Sequence, residues 1–202
     1  MSISYNPRVI TDGLVLCLDA GNTKSYPGSG STWYDLSGNG NDHTLIGSPG
    51  YSSGIFTLNG STQGFTRATS MNGVSSTNTV VIWYSTTDGQ ELWIRGNQSN
   101  SYYLGASYGN NYYDDNVGSA TYWVDLNSVT NPVTEGYRNG AFHMWEAKNV
   151  NFTGSGWAYF EWFLYPSSWQ MAGNVANIMI YNRNLTSDES RQNYNATKSR
   201  FQ

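Results

Sequence analysis

The sequence predicts an all-β fold, a sandwich or barrel formed as one domain over residues 1–202, on three observations. Aromatic residues make up 15% of the chain and charged residues only 12%. Tyr, Trp, Thr and Val favour pleated strands, while Gly and Asn favour turns. Turn signals recur about every ten residues, the spacing of a sandwich or barrel and not of alternating strands and helices. Helical signal is confined to the tail. A length of 202 residues suits a single sandwich, since such domains commonly reach about 200–250 residues.

In chain order, Gly13 to Asp19 (GLVLCLD) is apolar at every interior position, which fits a strand covered on both faces. Ala20 to Tyr34 is punctuated by Gly, Ser and Pro and reads as a loop. Gly54 to Gly60 is a strand ending in an Asn-Gly turn. Thr77 to Thr86 (TNTVVIWYST) carries β-branched and aromatic residues with no Gly or Pro, and gives the strongest strand signal. Further strands are expected at Glu91–Arg95, Tyr102–Ala106, Ala120–Leu126, Ala141–Ala147, Trp157–Tyr165 and Val175–Asn182. The tail then changes character. Thr186-Ser-Asp-Glu189 is a capping box, in which Thr and Glu each satisfy the other's free backbone donor. One helix of about three turns follows, short enough to need docking on the sandwich.

Composition excludes several function classes. A net charge of −4 and a pI near 5.0 oppose nucleic-acid binding, which needs a basic stripe. No apolar run is long enough to span a bilayer, so membrane insertion is not expected. The N-terminal MSISYNPRVITDG lacks a charged-then-apolar leader, which points to cytoplasmic synthesis without secretory export. The single cysteine, Cys17, sits in an apolar run and is expected to be buried and inert.

Three stretches carry a resemblance: Gly13 to Asn22, Thr32 to Asn41 (TWYDLSGNGN) and Val175 to Glu189. Together they resemble the concanavalin A-like lectin/glucanase superfamily, and within it the laminin-G-like branch. The closing run from Asn193 to Phe201 is similar to versions found in virion proteins of tailed bacteriophages. The likeness is dense at both ends and thin from about Ser61 to Ala172. It implies a two-sheet antiparallel jelly-roll sandwich with the first and last strands adjacent. Ile178 and Ile180 or their neighbours are then expected to pack against Leu14–Leu18, and the capped helix from Thr186 to lie across the sandwich edge.

The glucanases of this superfamily carry Glu-x-Asp-x-x-Glu on one strand, and no such spacing occurs around Glu91, Glu135, Glu146, Glu161 or Glu189. Glu146 and Glu161 on facing strands would be another route to a retaining pair, about 5–5.5 Å apart. Against it stands the reading that both are solvent-facing alternates of ordinary strands, and an enzyme is not expected. His43 and His143 have no Cys or paired His at zinc spacing. Asp35-x-Ser37-x-Asn39-Gly40 matches the opening of a calcium loop, but its twelfth position is Ile46. A turn stabilised by its own side chains is expected there, and no cofactor is required.

Aromatic residues are the remaining candidates for recognition. Trp157 and Trp162 in an aromatic strand, Trp169 in a Pro-Ser-Ser-Trp loop, and Tyr112 and Tyr113 in an Asn- and Gly-rich loop are assigned as glycan- or partner-binding. The resemblance thus implies a non-enzymatic virion protein of a capsid decoration, neck, tail or fibre. Its partners would be other phage structural proteins and cell-surface or environmental glycans, in a homo-oligomer, by virion symmetry a trimer. A free carbohydrate-binding lectin is the alternative, and a glycan hydrolase the remote one.

Overall fold

The computed structural model describes residues 8–88, 90–96, 102–108, 111–130, 137–164 and 170–202. Fifteen strands occur in the described chain, and they form two antiparallel sheets. In order they are β1 (Leu14–Asp19), β2 (Thr32–Trp33), β3 (His43–Ile46), β4 (Gly50–Ser52), β5 (Ile55–Asn59), β6 (Gly64–Arg67), β7 (Asn78–Thr86) and β8 (Gln90–Arg95). Then come β9 (Tyr103–Tyr108), β10 (Asn111–Asp115), β11 (Gly118–Val124), β12 (Asn127–Val129), β13 (His143–Val150), β14 (Phe160–Trp162) and β15 (Ala172–Tyr181).

The back sheet runs β12-β11-β13-β7-β15-β5-β4, with β1 also paired to β15. The front sheet runs β10-β9-β8-β14-β6-β3-β2. The long last strand serves three neighbours. Its Asn177–Tyr181 half pairs with β1 (Leu16 opposite Ile180, Leu18 opposite Ile178), its Ala172–Val175 half with β5, and its other edge with β7. The expected adjacency of first and last strands is therefore present.

Alternation sorts the back-sheet side chains into two buried layers. Leu16, Leu18, Ile82, Tyr84, Trp145, Ile178 and Ile180 face inward, where they meet Trp33, Phe65, Ile94, Leu104, Phe160 and Trp162 of the front sheet. Cys17, Val81, Trp83, Met144, Met179 and Tyr181 face the opposite way. A second apolar face of this kind must be covered, and the helix α1 (Ser187–Thr197) covers it. Tyr194 stacks on Trp83 at 5.6 Å between ring centroids, and Phe201 lies 5.0 Å from the same indole. The helix thus lies over a sheet face and not across the sandwich edge; the apolar area needing cover is on β7, β13 and β15, in mid-sheet.

The capping box is complete. Thr186 accepts from the Glu189 backbone N–H, and Glu189 accepts from that of Thr186. The seat of α1 is polar: its buried residues are Ser190, Asn193 and Thr197. Asn193 accepts from the Ile10 backbone N–H at 2.8 Å and donates to the Tyr181 hydroxyl at 3.1 Å.

Two local readings are corrected. Trp157–Tyr165 is not one strand: Ser155–Trp157 is a 3-10 turn, Phe160–Trp162 is β14, and Phe163 adopts φ +62°, a left-handed conformation costly for a bulky residue. That residue ends the pleat, which lets adjacent Trp162 and Phe163 both enter the core. Asn111–Asp115, expected as a loop, is the edge strand β10.

Candidate functional site

On the front sheet one register row crosses all seven strands. Thr32 (β2) stands opposite Thr44 (β3), Thr44 opposite Thr66 (β6), and Thr66 opposite Glu161 (β14). Glu161 stands opposite Arg95 (β8), Arg95 opposite Tyr103 (β9), and Tyr103 opposite Asp115 (β10). Because Phe160 and Trp162 on either side of Glu161 point into the core, Glu161 faces outward.

Glu161 and Arg95 form an ion pair at the middle of this row, with side chains 13% and 3% exposed. The second carboxylate oxygen of Glu161 accepts the Tyr159 phenol proton at 2.7 Å. Burial, reinforced by the Glu161 carboxylate, holds that phenol above its usual range, so it remains a donor. Two pre-organised donors thus fix Glu161 with little freedom left to lose on binding. The pair floors a shallow depression of about 310 Å³ walled by Ile46, Ser61, Thr62, Leu164 and Gln170. Its walls alternate aliphatic carbon with hydroxyl and amide groups.

The aromatic residues expected to bind ligands are placed differently. Trp157 is 1% exposed and Trp162 fully buried; both belong to the core between the sheets and offer no face to a ligand. Trp157 packs on Phe152 and Phe160 at 4.7 and 5.3 Å, and its indole donates to the Asn116 carbonyl. The Trp162 indole donates to His43. Tyr112 and Tyr113 are on β10, but their side chains lie outside the described residues. So does Trp169, which precedes depression-lining Gln170 in the chain.

Glu146 is also corrected. It is 1% exposed, buried beneath α1 and not solvent-facing. It lies on the outer face of the back sheet and Glu161 on the outer face of the front sheet, so the core separates the two carboxylates. His143 is engaged structurally, with Nδ1 2.6 Å from Asp125 Oδ2 and Nε2 3.0 Å from Asn139 Oδ1.

Asp35 holds its loop against β1. Its Oδ1 accepts from the backbone N–H groups of Cys17 and Ser37, and its Oδ2 from Ser37 Oγ and the Asn41 N–H. Asn39 and Asn41 donate to the Leu14 and Val15 carbonyls, and Gly38 supplies the turn at φ +89°. This is the side-chain-stabilised turn the spacing predicts. No cluster of three or more His, Cys, Asp or Glu arranged to hold a metal occurs among the described residues. Cys17 is buried, and desolvation pushes its thiol up to about 12, so it is unreactive at neutral pH.

Neither protein-family models nor curated proteins give a match to this chain. Among solved structures, it is similar to Trypanosoma rangeli sialidase in complex with sialic acid, at TM-score 0.57 and 15% identity, over 97% of this chain and 36% of that one. It is similar to the receptor binding domain of botulinum neurotoxin C/D mosaic serotype, at TM-score 0.58 and 11% identity, over 93% and 52%. It is also similar to domain 4 of AbnA, a GH43 extracellular arabinanase from Geobacillus stearothermophilus in complex with arabinotriose, at TM-score 0.53 and 15% identity, over 91% and 98%. The chain spans about a third of the sialidase chain and half of the toxin domain. At these identities the likeness establishes the fold, a two-sheet antiparallel β-sandwich.

Proposed function

We propose that this chain is a non-catalytic glycan-binding sandwich whose binding site is the Arg95–Glu161 depression of the front sheet. The observation that carries the reading is the fixed ion pair at the floor of a shallow concavity walled by Ser61, Thr62 and Gln170. Saccharides are bound by such groups: rigid charged side chains and amides meet hydroxyls, and aliphatic walls meet the C–H faces. Sandwiches of the same fold solved with sialic acid and with arabinotriose support it. The non-catalytic part rests on the carboxylates, since Glu161 has a partner on each oxygen and no second carboxylate lines its depression among the described residues.

A glycan array, repeated with Glu161→Gln and Trp169→Ala, tests the site. The expected result is saturable binding that both substitutions weaken, with no new reducing ends on any bound glycan. Equal binding by both variants would move the site elsewhere, and glycan cleavage that Glu161→Gln abolishes would make the domain a hydrolase.

A second reading concerns where the domain works. The run Asn193 to Phe201 that resembles tailed-bacteriophage virion proteins includes the residues that seat the tail, Asn193, Tyr194 and Phe201. That likeness favours a laminin-G-like virion component, made in the host cytoplasm, oligomeric, and partnered with other structural proteins. A mass-spectrometric inventory of purified particles tests it, and absence of the chain from particles would overturn it.

A further inference from the structure

The floor of the Arg95–Glu161 depression carries an outer and an inner charge. The Glu161 side chain is 13% exposed and that of Arg95 3%, so the carboxylate is the charge a ligand meets first and the guanidinium lies behind it. Arg95 Nη2 holds Glu161 Oε2, and the Tyr159 hydroxyl holds Oε1. A guanidinium and a carboxylate match as fork and fork. Glu161 therefore fills the seat on Arg95 that a ligand's own carboxylate would otherwise take.

Charge then decides what the depression accepts. Its other described lining residues, Ile46, Ser61, Thr62, Leu164 and Gln170, bring no charge, so nothing there offsets Glu161 except the guanidinium already committed to it. A neutral sugar presents hydroxyls, which donate to a carboxylate and accept from the Ser61 and Thr62 hydroxyls and the Gln170 amide. A sialic or uronic acid presents a carboxylate, which only accepts and which sets a second negative charge against Glu161. In a concavity partly shielded from water such a like-charge approach is costly. The chain's net charge of −4 biases encounter the same way at longer range.

We propose that Glu161 sets the ligand class: the depression takes neutral saccharides and refuses acidic ones, because Glu161 is a built-in occupant of the anion seat on Arg95. This rests on the front-sheet glycan-binding reading and adds its specificity. Removing the Glu161 carboxylate should open the seat, so that the carboxylate of a sialic or uronic acid takes its place against the guanidinium.

The test is an array in which neutral oligosaccharides stand beside acidic counterparts, lactose beside sialyllactose and cellobiose beside cellobiouronic acid among them. It is read with wild type, Glu161→Gln and Glu161→Ala. Wild type is expected to hold each neutral member it binds about tenfold or more tighter than the acidic one. Glu161→Gln is expected to weaken neutral binding and narrow that gap, and Glu161→Ala, which vacates the seat, to reverse it. Partial unfolding lowers both members together, so the ratio reports the site and not stability. Acidic members bound by wild type as tightly as neutral ones would overturn the proposal, as would a gap unchanged in both folded variants. Should neither variant fold, the wild-type gap must narrow as salt screens the repulsion, and a salt-independent gap would overturn the assignment to charge. An array silent for wild type would be a different failure, that of the glycan-binding reading itself, and would take this inference with it.

Discussion

Trp162 donates its indole proton to Nε2 of His43 at 2.8 Å, inside the sandwich. The other ring nitrogen, Nδ1, donates to the Asn41 carbonyl at 2.9 Å, which fixes a neutral tautomer. The contact joins β3 to β14 and satisfies an indole N–H that would otherwise be stranded in the core.

Acid should therefore loosen the sandwich through His43. Burial lowers its pKa from 6.5 to about 4, so between these values the unfolded chain takes up a proton that the folded chain refuses. Stability from this group is complete above pH 6.5 and is lost as pH falls toward 4. That lowering corresponds to about 3 kcal/mol. Denaturant unfolding at stepped pH should show that decline, and His43→Gln should flatten it. A wild-type curve level from pH 7 to 4 would refute the assignment.

The Thr186 cap has a separate, lower pH window. The Arg183 guanidinium, and then the Thr186 backbone N–H, hold Glu189 down to about 2 from an ordinary 4.5. A depressed carboxylate contributes stability above 4.5 that is shed as pH falls through 2. Loss of α1 signal on acidification should thus follow the His43 phase, and Glu189→Gln, which cannot titrate, should remove that pH-dependent loss and leave the helix weaker at neutral pH. Thr186→Ala removes one cap bond and should cost about 1 kcal/mol, read by denaturant midpoint.

Deleting residues 186–202 should uncover a sheet face. Trp83, Met179 and Tyr181 are fully buried under the tail, and burying each such side chain is worth roughly 1.5–3 kcal/mol. The truncated chain is expected to bind a hydrophobic dye and to associate, with a red-shifted Trp emission as Trp83 meets water. A folded, monomeric, dye-silent product would show that the tail serves a partner and not the sandwich.

What the sequence disclosed and what it hid follow from the same rules. β1, β7, β15 and the Thr186 cap were legible because long β-branched runs and a capping box are local signals. The helix seat was not, because its buried stripe is Ser190, Asn193 and Thr197, polar residues that no apolar periodicity reveals. Trp157 and Trp162 misled for the opposite reason. Alternation assumes an unbroken pleat, and the turn before Phe160 and the left-handed Phe163 break it. Arg95 and Glu161 are 66 residues apart, and only the β8–β14 register brings them together. The burial of Glu146 was equally invisible, because it depends on where the helix docks.

Asp35 gives the last prediction. All four of its hydrogen bonds come from donors within the protein, so the carboxylate is already satisfied without a cation. A thermal melt should be unmoved by chelator or by added calcium. Asp35→Asn keeps the shape but presents an NH2 group to the Ser37 hydroxyl and the Asn41 N–H, or else to Cys17 and Ser37 N–H groups. In the second orientation two N–H donors face the NH2; in the first the Ser37 hydroxyl can accept from it and give its proton to the Val15 carbonyl, leaving the Asn41 N–H unpaired, so a cost of about 1–3 kcal/mol is expected. If chelator instead lowers the melting temperature as far as the substitution does, the loop is a calcium site and its side-chain bonds are only the resting arrangement.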